Sequence, residues 1–494
     1  MGTDAVIYLE DGIGDEALRV LDEYAPEVIF KNLSGLGEIA SVHAAVPAAY
    51  SGRLKDFTSV YVREEQNDSA FWKRFFAKSG CDHVVKLPAD APFLDMEIIG
   101  EMLELHKRYK AEFTYSENLP SGFAAEILSR ELIQAVPETN ESMRPLAEVV
   151  RANLNQFDVE LYYREPDIRD KRLSFRSGNP RERRIMENIR STLGRVPRYG
   201  EMRDFINEHP EVLFIGPSYV EIELTGRCDL DCIFCFRKRL GAVHQDMETA
   251  SYKKILGDLR EFDLPYAVCL GGSGEPMMHK DFYAILEHSL SESQLTQLVV
   301  ETNGIYADDN FSGFLSSARD ERLRIIVNIN GFDRASYSGI HRGDYFDAVC
   351  RNILSIKERV TKSECLYIQI MKIRETEPFL DRYYDFWEKH GVPIILQKQN
   401  TYLGLIEDRR YSDLSPLERT PCWHLQRDLS ILSDGRLAFC KQDVDGACAC
   451  GACTSDSLKS LWRNSQERFI HDYRGRYPQK PDCSSCDEWY TFNL

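Results

Sequence analysis

Three cysteines, Cys228, Cys232 and Cys235, stand at C-x3-C-x2-C spacing directly after the apolar run Tyr219–Thr225. Thiolates are soft ligands, and three at this spacing on one loop can wrap three irons of a cubane iron–sulfur cluster. The fourth iron then has no protein ligand and is open to a substrate or cofactor. Three cysteines at this spacing could also be zinc ligands or chance. A second group, Cys422, Cys440, Cys483 and Cys486, offers four thiolates, enough to close a tetrahedral zinc site or to ligate every iron of another cluster. Cys448, Cys450 and Cys453 lie between them without a clear fourth partner. Of fourteen cysteines only Cys81, Cys269, Cys350 and Cys365 stand alone, and inert packing is expected of them. The N-terminus has no basic start and long apolar core, so metal or redox chemistry is a better reading than a disulfide framework.

The elements that must position these residues are legible as alternation. Apolar, β-branched runs at Tyr219–Thr225, Tyr266–Leu270, Leu298–Glu301, Arg324–Asn330, Leu366–Met371 and Pro393–Gln397 are separated by helical patterns, such as Phe346, Val349, Ile353 and Ile356 on one face. Six strands alternating with helices predict a parallel sheet with right-handed crossovers, curled into a partial barrel whose chemistry sits at the strands' C-terminal ends. Leu429–Leu432 and Arg436–Phe439 flank Ser433-Asp434-Gly435, a hairpin signal. Upstream, AVIYL, SVYV and HVVKL read as strands and Met96–Tyr109 as a helix capped by Asp95. Asn179-Pro180-Arg181-Glu182 reads as a helix start. Between residues 169 and 198 there are ten basic and three acidic residues. This segment is expected to be a solvated helical linker or a docking surface for an acidic neighbour or anionic substrate.

The cysteine loop, with Phe234 before its last cysteine, resembles the radical S-adenosylmethionine (SAM) superfamily. The segments Gly271-Gly272-Ser273-Gly274-Glu275-Pro276, Glu301-Thr302-Asn303-Gly304 and Asn328-Ile329-Asn330-Gly331 follow successive strands and resemble that superfamily's segments in order. The resemblance implies that Cys228, Cys232 and Cys235 hold a [4Fe–4S] cluster whose open iron is chelated by SAM. Reductive cleavage then yields a 5′-deoxyadenosyl radical that abstracts hydrogen from a substrate. It assigns Phe234, Gly272, Gly274, Glu275, Asn303, Asn328 and Arg342 to the SAM site. Asn330 stands where relatives often have Asp and cannot act as a carboxylate base. A small electron donor of the flavodoxin or ferredoxin type is implied as a partner. The C-terminal cysteines, with Gln442-Asp443 and Ser457-Leu458 before Trp462, resemble the SPASM extension. That likeness makes Cys422, Cys440, Cys483 and Cys486 ligands of an auxiliary [4Fe–4S] cluster.

Residues 81–136 resemble sugar cytidylyltransferases, which implies a doubly wound sheet, magnesium at Asp90 with Asp95 as a second carboxylate, and Gly122 and Glu126 in a later pattern. The stretch Ala5–Ala17 carries Glu10, Asp11, Asp15 and Glu16 and no basic residue. Acidic side chains repel a triphosphate, so a domain that has lost transfer activity and binds a sugar nucleotide or a partner is favoured. The combination resembles the spiro-SPASM group. The expected organisation is an α/β protein: a cytidylyltransferase-like domain (1–140), a helical Arg-rich linker (141–212), a partial (β/α)6 barrel (213–415) and a small Cys-rich domain (416–494).

Net charge is −18, from 61 basic and 79 acidic residues, which disfavours non-specific nucleic-acid or anionic-lipid binding. No run of about 18 apolar residues is present, so no membrane helix and a cytoplasmic location are expected. The leading function is a radical SAM enzyme acting on a peptide, protein or carbohydrate, the fused sugar-nucleotide-like domain favouring carbohydrate. A zinc-stabilised binding protein and a sugar nucleotidyltransferase with an accessory iron–sulfur module are the alternatives.

Overall fold

The runs AVIYL, SVYV and HVVKL are strands because their β-branched and aromatic residues fill both faces of a covered sheet. In the computed structural model they belong to a seven-stranded sheet of the first of two units, Met1–Leu213 and Phe214–Leu494. The structure describes residues 2–9, 39–47, 57–63, 68–136, 145–240, 245–412 and 415–491. Glu10, Asp11, Asp15 and Glu16, invoked above against triphosphate binding, lie outside the described residues.

The strands of the first unit are β1 (Thr3–Tyr8), β2 (Ile39–Pro47), β3 (Ser59–Arg63), β4 (His83–Pro88), β5 (Phe113–Tyr115), β6 (Glu126–Ser129) and β7 (Val159–Leu161). Their order is β3-β2-β1-β4-β6-β5-β7, with β6 antiparallel to both neighbours and every other pairing parallel. Phe71, Trp72 and Phe75 from helix Asp68–Ser79 pack with Tyr8 and Val84 in its core. Residues 145–212, expected as part of a linker, belong instead to this unit. They supply β7, and Ile168, Phe175 and Tyr199 are fully buried within it. The predicted helix start is present: Asn179 accepts from Arg181 N at 2.9 Å and caps helix Pro180–Leu193.

The second unit is built on β8 (Tyr219–Glu223), β9 (Tyr266–Gly271), β10 (Leu295–Thr302), β11 (Leu323–Asn328), β12 (Leu366–Lys372) and β13 (Ile394–Lys398). These are the six predicted strands, all parallel and in sequential order, as in a partial barrel. Helix Phe346–Lys357 buries Phe346, Val349, Ile353 and Ile356, as its spacing predicts. A seventh strand, β14 (Asp428–Ile431), comes from the Cys-rich segment and pairs parallel with β8. The predicted hairpin is present too, with Ala438 N donating to Ser430 O and Leu432 N to Arg436 O, both at 3.0 Å. The pleat sorts the barrel's faces. Val220 and Ile222 of β8 are fully buried on one side, while Tyr219, Cys269, Val299 and Ile326 form a cluster on the other, the lumen. Further along the same face, towards the strands' C-terminal ends, come Glu221, Glu223, Gly271, Glu301, Asn328 and Gln369.

Candidate active site

The cysteine loop follows β8, and its base is fixed by charge and by close approach. Arg227 Nη2 pairs with Asp246 at 2.6 Å and donates to Met278 O at 2.8 Å. The glycine-rich segment after β9 lies directly against this base. Glu275 N donates to Arg227 O at 2.7 Å, and a Cβ on Gly274 would lie 1.9 Å from Thr225 O. Only glycine fits there. Gly272 has φ +101°, a conformation that glycine adopts without a Cβ penalty.

Glu275 is buried beneath this segment. Its carboxylate accepts from Asn303 N at 2.7 Å, Thr302 Oγ1 at 2.8 Å and Met277 N at 3.1 Å, while burial pushes its pKa up to about 7. It thereby ties the end of β9 to the end of β10. Asn303 places its Nδ2 3.8 Å from Cys228 Sγ. Glu223 performs a similar service one strand earlier: it accepts from Ser273 N at 2.9 Å and from Ser433 Oγ at 2.7 Å, joining the glycine-rich segment to the C-terminal hairpin.

Thiolate charge on Cys228 or Cys235 acts on Cys232, and burial pushes the Cys228 and Cys232 thiols upward. All fourteen cysteines are free. His341 Nδ1 lies 3.1 Å from Cys232 Sγ, and the rings of Phe234 and His341 meet edge-on at 6.2 Å. Sequence reasoning passed over His341, which is remote from the cysteines in the chain. Asn328 Oδ1 accepts from Gln369 Nε2 at 2.7 Å. Asn330 Oδ1 accepts from Met371 N at 2.7 Å, which makes it a structural residue. Arg342 is drawn to Asp231 at 3.5 Å on the cysteine loop and is more than half exposed.

Cys422, Cys440, Cys483 and Cys486 line one cavity together with Gln442 and Arg419. Burial pushes Cys440 and Cys483 up to about 12 and raises Cys422 and Cys486 as well. The Gln442 amide is buried and has no hydrogen-bond partner among the described residues, leaving an N–H donor beside the thiols. A sulfur-rich inorganic cluster fits this donor set. Among the described residues no three His, Cys, Asp or Glu side chains gather closely enough to chelate a single ion. Cys453 is fully buried and feels Lys254, Asp258 and Asp456, whereas Cys448 feels Cys450.

In the first unit Asp90 is occupied. Its Oδ1 accepts from Arg176 Nε at 2.5 Å and its Oδ2 from Gly178 N at 3.3 Å, with the side chain 2% exposed. The expected magnesium ligand is therefore the buried partner of an arginine. Asp95 is likewise used up, accepting from Glu97 N and Tyr199 N, each at 3.1 Å.

Residues 222–382 match the family model of the radical SAM superfamily, and residues 422–487 match that of the SPASM iron–sulfur cluster-binding domain. The chain therefore contains a radical SAM domain followed by a SPASM domain. Its radical SAM domain implies a [4Fe–4S] cluster and SAM, and the SPASM domain implies auxiliary iron–sulfur clusters. A protein of Treponema pallidum (strain Nichols), described only as uncharacterized, is 27% identical over 367 residues, 70% of this chain and 98% of its own length. A probable GTP 3′,8-cyclase of Methanopyrus kandleri is 24% identical over 48% of this chain and 76% of its own. The crystal structure of Streptococcus suis SuiB bound to precursor peptide SuiA aligns with a TM-score of 0.42 at 13% identity, covering 54% of this chain and 71% of that one. No helix among the described residues is long and apolar enough to cross a membrane.

Proposed function

We propose that this enzyme abstracts hydrogen from a polyhydroxylated, carbohydrate-type substrate held in the barrel lumen. One observation carries the choice of substrate. Glu221 and Glu301 share the lumen face, and neither has a hydrogen-bond or ion-pair partner among the described residues. Carboxylates left without partners in a lumen call for hydrogen-bond donors from a ligand. Hydroxyl groups supply them, and Asn328 and Gln369 on the same face add further polar contacts. Lys441, next to Cys440, acts electrostatically on both glutamates, so the auxiliary site adjoins the same space.

In this reading Cys228, Cys232 and Cys235 hold the SAM-binding cluster, and Cys422, Cys440, Cys483 and Cys486 hold the auxiliary one. When bound, cluster and SAM together supply a carbon radical. Phe234, Gly272, Gly274, Glu275, Asn303 and Asn328 would hold SAM; Arg342 would join them once its pair with Asp231 opens. A flavodoxin or ferredoxin would deliver the electron. The test is anaerobic reconstitution with iron and sulfide, then dithionite and SAM, with 5′-deoxyadenosine measured. A several-fold rise in 5′-deoxyadenosine with sugar or sugar-nucleotide candidates, and none with peptides, supports this reading. The reverse pattern overturns the substrate class.

For the first unit we infer an anionic, sugar-nucleotide-type ligand. What supports this is a cavity of about 900 Å³ whose lining carries more positive than negative charge: Arg63, Lys86, Arg151, Arg169 and Arg176 against Glu117, Glu126 and Glu148, with Glu126 pairing Lys86 and Arg151. It lies at the C-terminal ends of β1 and β4, where the strand order reverses, the usual ligand crevice of a doubly wound sheet. Calorimetry with nucleoside diphosphate sugars should show binding that Arg151→Glu weakens at least tenfold. Equal affinity in the two proteins would refute the assignment.

A further inference from the structure

The tautomer of His341 is fixed by its neighbours. The backbone N–H of Asn330 donates to His341 Nε2 at 2.9 Å. A backbone N–H can only donate, so Nε2 carries its lone pair there, and the neutral ring bears its proton on Nδ1. That N–H faces Cys232 Sγ at 3.1 Å. The ring has little freedom to leave: it is 1% exposed and packs on Tyr337 with centroids 4.4 Å apart.

The same helix end receives hydrogen bonds from the cysteine loop. Helix Arg334–His341 finishes with carbonyls that lack intrahelical partners. Two are taken by the loop: Ile233 N donates to Ile340 O at 3.0 Å and Asp231 N to His341 O at 3.3 Å. Two backbone bonds thus run from the loop to the helix, and one side-chain bond returns to the sulfur between them. By comparison, the Asn303 amide stands 3.8 Å from Cys228 Sγ, a much weaker contact.

We propose that His341 is a positioning residue that donates Nδ1–H to the Cys232 thiolate, setting both the seat and the reduction potential of the SAM-binding cluster. The proposal rests on the reading that Cys228, Cys232 and Cys235 carry that cluster. An N–H directed at a ligating sulfur draws electron density from it and favours the reduced, more negatively charged cluster. The ligands are served differently, Cys228 by the backbone N–H of Leu230 and Cys232 by the His341 side chain, which makes the cluster's protein environment asymmetric.

The test uses full-length holoenzyme. Iron and acid-labile sulfide are counted first, and the EPR signal that changes when SAM is added identifies the relevant cluster. In His341→Phe, which keeps a ring but loses the N–H, the reduced-to-oxidised ratio at a fixed potential should fall about tenfold, ~59 mV for one electron. His341→Gln, which retains a donor, should recover most of that shift. An unchanged midpoint in His341→Phe with full iron and sulfide overturns the proposal. If His341→Phe does not load a cluster, pulsed EPR of wild-type protein labelled with 15N-histidine decides. A 15N coupling and an exchangeable proton on the SAM-responsive signal are expected, and the 15N coupling should be absent from that signal in His341→Gln. No 15N coupling in the wild type overturns the proposal. Wild-type protein that binds no iron and sulfide overturns the cluster reading itself and this proposal with it.

Discussion

Gly274 and Thr225 approach so closely that a methyl group on the glycine would overlap the threonine carbonyl oxygen, at 1.9 Å. This contact seats the glycine-rich segment on the root of the cysteine loop. Gly274→Ala must push the two apart, at a cost of about 3 kcal/mol or more, as overpacking against backbone allows little relief. The expected outcome is a lower unfolding midpoint and a cluster content well below that of wild type, measured by iron and sulfide analysis after reconstitution.

The two cysteine groups should separate in function. Cys232→Ala is expected to abolish 5′-deoxyadenosine formation. Cys440→Ala should spare SAM cleavage uncoupled from substrate and remove turnover of the substrate itself. Chromatography of anaerobic reaction mixtures distinguishes the two. Loss of SAM cleavage in both variants would mean that the auxiliary site supports the first cluster directly.

Glu221 should make stability depend on pH. Burial and the neighbouring Glu301 raise its pKa to about 7 from the ordinary carboxyl value of 4.5. The folded protein therefore keeps this proton where the unfolded chain has lost it, so stability falls as pH rises from about 4.5 to 7. Glu221→Gln mimics the protonated form. The variant should match wild type near pH 4.5 and exceed it at pH 8, by up to about 3 kcal/mol. Denaturant unfolding at both pH values checks the sign; a variant less stable at pH 8 would contradict it.

Asp90 should behave as a structural anion. Its carboxylate, 2% exposed, holds the Arg176 guanidinium and the backbone of Gly178, so Asp90→Ala removes both contacts at a buried position. A loss of about 1–3 kcal/mol is expected, in the range for removing a hydrogen bond to a charged group. Magnesium should not raise the unfolding temperature of the wild-type protein. A magnesium-dependent rise that vanishes in Asp90→Ala would restore the metal reading.

The barrel was legible in the sequence because each strand is a short β-branched run and each intervening helix shows its own apolar stripe, as Phe346, Val349, Ile353 and Ile356 do. The cysteine groups were legible by spacing. What escaped has a common physical character: partners distant in the chain. His341 meets Cys232 across 109 positions, and Arg176 meets Asp90 across 86. Neither leaves a local pattern. The basic stretch around Arg176 looked like a solvated helix because charge density is visible in sequence and its buried counter-ion is not. Glu221 and Glu223 alternate with Val220 and Ile222, a pattern that ordinarily reads as a strand with one wet face. Only the curl of the sheet turns that face inward and makes it a chamber wall.

The parallel pairing of β14 with β8 has a consequence for how the chain is made. β8 is the first barrel strand to leave the ribosome, and Tyr219 must wait for Asp428 before its outer edge is covered. Until then nascent chains present an unpaired strand edge, the kind of surface on which chains stick to one another. Translation halted before Cys422 would strand the protein in that state, with its first cysteine loop already exposed to oxidants.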